Sequence, residues 1–262
     1  MVESVVGIIP DIQNIGQAME LSEKYGTVFE YNDFMLPGQL DDAGECRRKT
    51  DFYRSLDRDR SGDTLHGAFL DITVHSDDPL IREASKKRIY QSMRVAEELG
   101  IRGVVFHTGL VANFYVPYYR RGWLDRNIAF WTETLEDFPG QEIYIENMFD
   151  QEADSLAELG KAMAGHGRFG VCLDYGHACA FGGADSIGRW MEELAPYIRH
   201  MHINDNDLKD DLHLPVGDGA IDWQQFGCLR RKYQIQSSVL LEVDGYAAQK
   251  RSLEYIRENH IL

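Results

Sequence analysis

Eight times along this chain of 262 residues, a short apolar run ends in polar residues and gives way to a stretch of helical character. The runs are VVGIIP (5–10), TVFEYND (27–33), DTLHGAF (63–69), GVVFHTG (103–109), EIYIENM (142–148), GVCLDYG (170–176), IRHMHIND (198–205) and SSVLLEVD (237–244). They are rich in Val, Ile and Leu and almost continuous, as strands covered on both faces should be. The clearest helix is expected over 79–100, with apolar residues on one face, charges on the other and Gly100 as a stop. Further helices are expected over 12–26, 154–167 and 186–198, with a short one over 222–232. Strands alternating with helices imply parallel β-α-β units. Eight such units close into a barrel, for which roughly 250 residues is the usual length. The expected fold is therefore a single-domain (β/α)8 TIM barrel over residues 1–262.

An open doubly wound sheet would use fewer strands. No G-x-G-x-x-G follows any strand and no G-K-[ST] occurs, so no phosphate-cradling loop is expected. The longest irregular stretches are expected at 34–50 and 110–126. The second, LVANFYVPYYRRGWLDR, is aromatic and basic, unlike the rest of the chain. It follows the fourth strand and should overhang the barrel mouth, as a substrate lid or as the contact of a homodimer.

Charge narrows the partners. With 27 basic against 43 acidic residues the formal net charge is −16, which argues against nucleic acid as a partner. The four cysteines form no C-x-x-C pair, a pattern that suits a reducing cytoplasm. The first residues lack a basic segment followed by a long apolar one, and no run of about 18 apolar residues exists. A cytoplasmic protein with no membrane span is expected.

In a barrel of this kind the site lies at the C-terminal ends of the strands. Polar residues there are His66 after the third strand, His107 after the fourth, Glu146 after the fifth and Asp174 after the sixth, with His177 three residues on. The seventh strand offers His200 or His202, which alternate and so face the same side. Its loop adds Asp211 and His213, and the eighth strand ends at Glu242. Several carboxylates converging on one axis would repel one another, and a divalent cation removes the repulsion. Mixed carboxylate and imidazole ligands suit Mn, Zn, Co or Fe better than Ca. Some members have plainer readings: Asp174 could cap the helix after it, and DNDLKDD (205–211) could be a solvated acidic loop. His75, His166 and His260 are assigned to structure or surface.

The stretches LHGAF (65–69), VVFHTG (104–109), YIEN (144–147), LDYGHA (173–178), HMHINDND (200–207), HLPVGDGAIDW (213–223) and LLEVDG (240–245) resemble the xylose-isomerase-like barrel superfamily. That group holds sugar phosphate isomerases and epimerases, inosose dehydratases and endonuclease IV. The resemblance implies a carbohydrate substrate and a divalent metal (Mn, Zn, Co, Fe or Mg) on Glu146, Asp174, His202 and Glu242. It selects His202 over His200, which is left to structure. It also implies that Glu146 and Glu242 act as the acid/base pair, passing a proton through an enediolate. One departure is Leu208, where the epimerases often carry an arginine. Carried over from endonuclease IV, the resemblance implies a trinuclear zinc site on His66, His107, Glu146, Asp174, His177, His202, Asp211, His213 and Glu242. The alternatives to a sugar isomerase or epimerase are thus a zinc phosphodiesterase at abasic DNA and a sugar-acid or inosose-type dehydratase. For the nuclease reading, Arg120, Arg121 and Arg126 near the mouth would meet phosphates, and Phe69 and Leu70 would wedge into a duplex.

Overall fold

Each β-rich run forms a strand shorter than the run itself, because only its middle residues pair. The computed structural model describes residues 4–262. The strands are β1 (Val6–Ile8), β2 (Val28–Tyr31), β3 (Thr64–His66), β4 (Gly103–His107), β5 (Glu142–Glu146), β6 (Phe169–Asp174), β7 (Ile198–Ile203) and β8 (Ser238–Leu241). All pair in parallel in chain order, and β1 closes on β8 to complete the barrel. The helices are α1 (Ile15–Tyr25), α2 (Pro37–Asp41), α3 (Ala43–Ser55), α4 (Pro79–Leu99), α5 (Pro117–Asp137), α6 (Asp154–Met163), α7 (Tyr175–Phe181), α8 (Ile187–Leu194), α9 (Trp223–Lys232) and α10 (Tyr246–Glu258).

Two stretches expected to be irregular are partly helical. Residues 34–50 contain α2 and most of α3, because Pro37 opens one helix and the Asp42 side chain caps the next at Gly44 and Glu45. The aromatic stretch is loop only as far as Val116, since Pro117 begins α5. Phe114, Tyr115, Val116 and Tyr118 remain exposed there.

The two faces of the strands differ in chemistry. Phe29, Leu65, Val104, Phe106, Ile143, Ile145, Val171, Leu173, Met201 and Val239 join the main core, which also holds the buried indoles of Trp123, Trp131, Trp190 and Trp223. The opposite face, made by the alternate residues of each strand, lines the lumen. The register runs Glu30 beside Thr64, His66 beside Val105, His107 beside Glu146, and Asp174 beside His202. Apolar lumen residues are few. Val105, Tyr144 and Cys172 make a small cluster separate from the main core. The Tyr144 ring reaches across towards β3 and β4. A side chain at Gly103 would stand 2.7 Å from that ring and 2.8 Å from Thr64, so glycine there lets the ring in.

The acidic run after β7 is solvated only in its later part, where Asp207, Lys209 and Asp210 are exposed. Asp205 and Asn206 are fully buried. The Asp205 carboxylate accepts from the backbone N–H of Asn206 (2.9 Å), Gly217 (2.9 Å) and Ile221 (3.1 Å), and from the Trp223 indole (2.7 Å). It therefore ties both ends of the loop carrying Asp211 and His213 to the barrel. Asp205→Ala leaves buried donors unpaired. It should cost on the order of 3 kcal/mol, read as a Tm drop of about 6–12 °C for a chain of this size. An unchanged Tm would show that the loop is held some other way.

Candidate metal centre

The strand ends place their polar residues around one point in the lumen. Glu146 is fully buried and central. Its Oε2 lies 3.5 Å from His66 Nε2 and 3.3 Å from His107 Nε2. Its Oε1 lies 3.2 Å from His202 Nδ1 and 3.6 Å from His177 Nδ1. Glu242, just beyond β8, brings Oε2 to 3.5 Å from His202 Nδ1. Asp174 caps α7 by accepting from His177 N–H (2.6 Å), and it also faces the lumen. Nearer the rim, Asp211 stands 3.3 Å from His177 Nε2 and 3.1 Å from His213 Nε2. All nine expected residues come together. Eight of them gather their ligand atoms within 4.8 Å of one another or of a shared partner: His66, His107 and Glu146 form one group, Glu146, Asp174, His177 and Glu242 a second, and His177, His213 and Glu242 a third, with Asp211 beside His177 and His213. His202 joins through Glu146 and Glu242.

This donor set fits divalent cations. Both oxygens of Glu146, Nδ1 of His202, Nε2 of His177, Oδ1 of Asp211 and Oε2 of Glu242 are buried without an aligned hydrogen-bond partner. Buried donors and acceptors left in this state are costly, and a cation satisfies several at once. The imidazoles are also oriented from behind. The Nδ1–H groups of His66, His177 and His213 point to the backbone carbonyls of Gly67 (3.1 Å), Asn147 (3.0 Å) and Glu242 (2.8 Å), which leaves each Nε2 turned to the cavity. His213 is held at φ 47°, a strained backbone conformation for a non-glycine residue.

Several supporting residues escaped the sequence reading. Glu30 lies below the site with its Oε1 3.1 Å from His202 Nε2. His200, left to structure, pairs with the other Glu30 oxygen at 3.1 Å. The one available signal was a carboxylate inside the otherwise apolar VFEY strand. Asn147 holds the Asp174 backbone through both its amide atoms (2.9 Å each), and Asn204 donates to the Asp174 carboxylate (3.2 Å). The three arginines expected near the mouth are engaged locally: Arg120 with Ser155, Arg121 with Asp125, and Arg126 with Asp77. Phe69 packs edge-on against His66 and His107, while Leu70 is half exposed at φ 55°.

Proton affinities follow from this crowding. Burial pushes Asp174 up to about 8 despite His177 beside it. Burial opposes a proton on His213, yet Asp211 and Glu242 raise it to about 10. Burial likewise acts against charge on Glu242, but His202 holds it down to about 2. Burial also opposes protons on His177 and His202, but the carboxylates around them raise both well above the ordinary histidine value, while His107 is lowered by burial.

Residues 12–259 match the family described as xylose isomerase-like TIM barrel. The chain belongs to this family. A xylose isomerase-like barrel of this kind has varied relatives. An uncharacterized Methanocaldococcus jannaschii protein is 28% identical over 168 residues, 61% of this chain and 56% of that protein. The chain thus matches little more than half of that relative's length. A Chlorobium phaeovibrioides protein named probable endonuclease 4 is 27% identical over 198 residues, 68% of this chain and 67% of its own. Among solved structures, the TTHB071 protein from Thermus thermophilus, soaked with ZnCl2, superposes with a TM-score of 0.73 at 22% identity, covering 98% of this chain and 97% of that one. A D-tagatose 3-epimerase-like protein superposes with a TM-score of 0.69 at 20% identity, covering 98% and 99%. At these identities the superpositions show the fold. No helix among the described residues is long and apolar enough to cross a membrane.

The raised groups make a pH prediction. Asp174, His177, His202 and His213 all bind protons more tightly folded than unfolded. Their effect on stability is complete below the unfolded values and is lost as pH rises through the folded ones. For Asp174 the loss runs from the ordinary carboxylate range up to about 8, and for His213 from the ordinary histidine range up to about 10. The metal-free protein should therefore melt lower at pH 9 than at pH 6.5. Saturating divalent metal should raise Tm more at pH 9 and release protons on binding. Melting curves in chelator and in metal, with calorimetry in buffers of different ionisation enthalpy, check this. A metal-free Tm that rises with pH would contradict it.

Proposed function

We propose that this chain is a divalent-metal-dependent hydrolase of phosphate esters that works with more than one bound ion. The observation that carries the reading is the gathering of side chains into clusters that share Glu146, His177 and Glu242. A single-ion site would leave His66, His107, Asp211 and His213 crowded together without a task. Divalent ions held by Glu146, Asp174, His202, Glu242 and the histidines around them would supply Lewis acidity and an easily ionised water, and a pair of ions would suit in-line displacement at phosphorus. Imidazole and carboxylate donors together favour Zn, Mn, Fe or Co. The chain's own residues supply the rest. Asn147 and Asn204 hold Asp174 in place. Phe69, Met35, Met148 and Ile9 line an apolar wall of the cavity above the cluster, about 380 Å³ in volume, and limit water. In this reading Glu242 also takes the proton of the attacking water, through whichever of its carboxylate oxygens an ion leaves free.

The relative named probable endonuclease 4 supports the phosphoester class. The net charge of −16 and the locally engaged arginines favour a small substrate, such as a phosphorylated carbohydrate, over a DNA backbone. A second reading, a one-ion sugar isomerase or epimerase, is favoured by the meeting of Glu146 and Glu242 in one cluster with Asp174. There the two carboxylates would move a proton at a carbon beside a carbonyl.

Metal content and turnover separate the two. The hydrolase should bind more than one equivalent of Zn or Mn, cleave bis(p-nitrophenyl) phosphate or a sugar phosphate, and stop in chelator. Glu242→Gln should lower that rate on the order of 10²–10⁴-fold. One bound ion with solvent deuterium entering a ketose, and no phosphate ester cleaved, would replace the hydrolase with the epimerase.

A further inference from the structure

The histidines of the site are oriented in two different ways. His66, His177 and His213 each hold Nδ1 against a backbone carbonyl and turn Nε2 to the cavity. His202 is reversed: Nδ1 faces Glu146 Oε1 (3.2 Å) and Glu242 Oε2 (3.5 Å), and Nε2 faces away. Behind it stands no carbonyl but the carboxylate of Glu30, with Oε1 3.1 Å from Nε2.

Glu30 is itself fixed in place. It sits on β2 beside Thr64 of β3 and is fully buried. Its Oε2 accepts from the Thr64 hydroxyl (2.6 Å) and pairs with His200 Nε2 (3.1 Å). His200 is held in turn by Ser238 Oγ at Nδ1 (2.7 Å) and by the Tyr144 ring stacked on it at 5.6 Å. A carboxylate only accepts hydrogen bonds, so the nitrogen facing it must carry the hydrogen. His202 Nε2 is then N–H; Nδ1, facing Glu146 and Glu242, carries a hydrogen too while no ion is bound, and that is the hydrogen a cation would displace to reach the Nδ1 lone pair. The approach of Nε2 to Oε1 is close but not in line, since neither atom completes an aligned hydrogen bond.

We propose that Glu30 is a positioning residue: it fixes His202 as the Nε2–H form and so aims Nδ1 at an ion shared with Glu146, Asp174 and Glu242. The inference rests on the metal reading of the site but not on which reaction follows. Glu30 belongs to none of the groups that gather candidate ligand atoms. It acts through His202, as a carboxylate behind a metal-bound imidazole does by raising its basicity and setting its orientation. His200, Thr64 and Ser238 hold Glu30 against rotation, so the ligand's orientation depends on a chain of side chains reaching from β2 to β8.

Three readouts test this. In zinc-loaded protein labelled with nitrogen-15 at histidine, long-range proton–nitrogen correlation reports which ring nitrogen of His202 carries the hydrogen. The wild type should show Nε2–H, and Glu30→Gln should show a changed or mixed form. In a cobalt titration followed by visible absorption, Glu30→Gln should weaken one class of ion by roughly 10–100-fold, with the His66/His107 class retained. The metal-free Tm is measured alongside, because a purely structural role would lower Tm without moving the nitrogen signals or the cobalt spectrum. Should Glu30→Gln fail to fold, Thr64→Val frees one Glu30 oxygen and should weaken the same ion towards the lower end of that range. Wild-type cobalt affinity in Glu30→Gln, or in Thr64→Val where that variant replaces it, or an Nδ1–H wild-type His202, would overturn the proposal. A wild type that binds no cobalt or zinc would instead overturn the metal reading, and this proposal with it, a result distinct from normal ion binding in Glu30→Gln.

Discussion

Charge confined in a closed lumen is the constraint on which the rest of this structure depends. Glu146 lies at zero exposure with four imidazoles within 3.6 Å of its two oxygens. A lone carboxylate so placed would be too costly to keep. Its neighbours offset that cost only partly, since both oxygens still lack an aligned partner. The site thus has too many acids and too few bound donors to be content with protein alone. Asp174 shows the imbalance most directly, with burial raising it to about 8. The features around it serve this cluster: three backbone carbonyls turning imidazoles inward, two asparagines holding Asp174, and a buried Asp205 anchoring the rim loop.

The fold was legible because the β/α alternation repeats eight times and each strand carries branched apolar residues. The lumen side of the site was legible for a related reason. A Glu, Asp or His closing an apolar strand has nowhere to point except into the barrel mouth, as IYIE, VCLD and VLLE show. What escaped was whatever depends on parity inside a strand. Glu30 sits in the middle of its run rather than at its end, and only the register beside Thr64 shows that it faces the lumen. His200 and His202 share one face and differ only in depth, which sequence alone does not rank. The DNDLKDD run misled for the opposite reason. Its composition reads as solvated, but the tertiary hydrogen bonds of Asp205 draw its first residues into the core.

The surface and the site pull in different directions. A chain this acidic repels polyanions at long range, yet its mouth presents groups suited to cations and, through them, to an anionic ester. A metal ion inverts the local field over a few ångströms without changing the field farther out. With ions bound, a small substrate with one phosphate would meet the inverted field, whereas a long nucleic-acid strand would also meet the acidic remainder. Arginines that pair with their own neighbours do not offset this.

Tyr144 and Gly103 bear on something further. The tyrosine ring, admitted by the glycine and stacked on His200, plugs the lumen beneath the cluster, and its hydroxyl is tied to Glu142 at 2.7 Å. The barrel is therefore a well with one opening. Ions held there would come and go past Asp211 and His213, whose side chains keep 23% and 35% of their exposure, while Glu146 and His202 at the floor keep none. Occupancy would then have an order: the deepest position would fill through the shallower ones and empty last. A chelator would strip this protein in stages, leaving behind the ion seated on the most buried ligands.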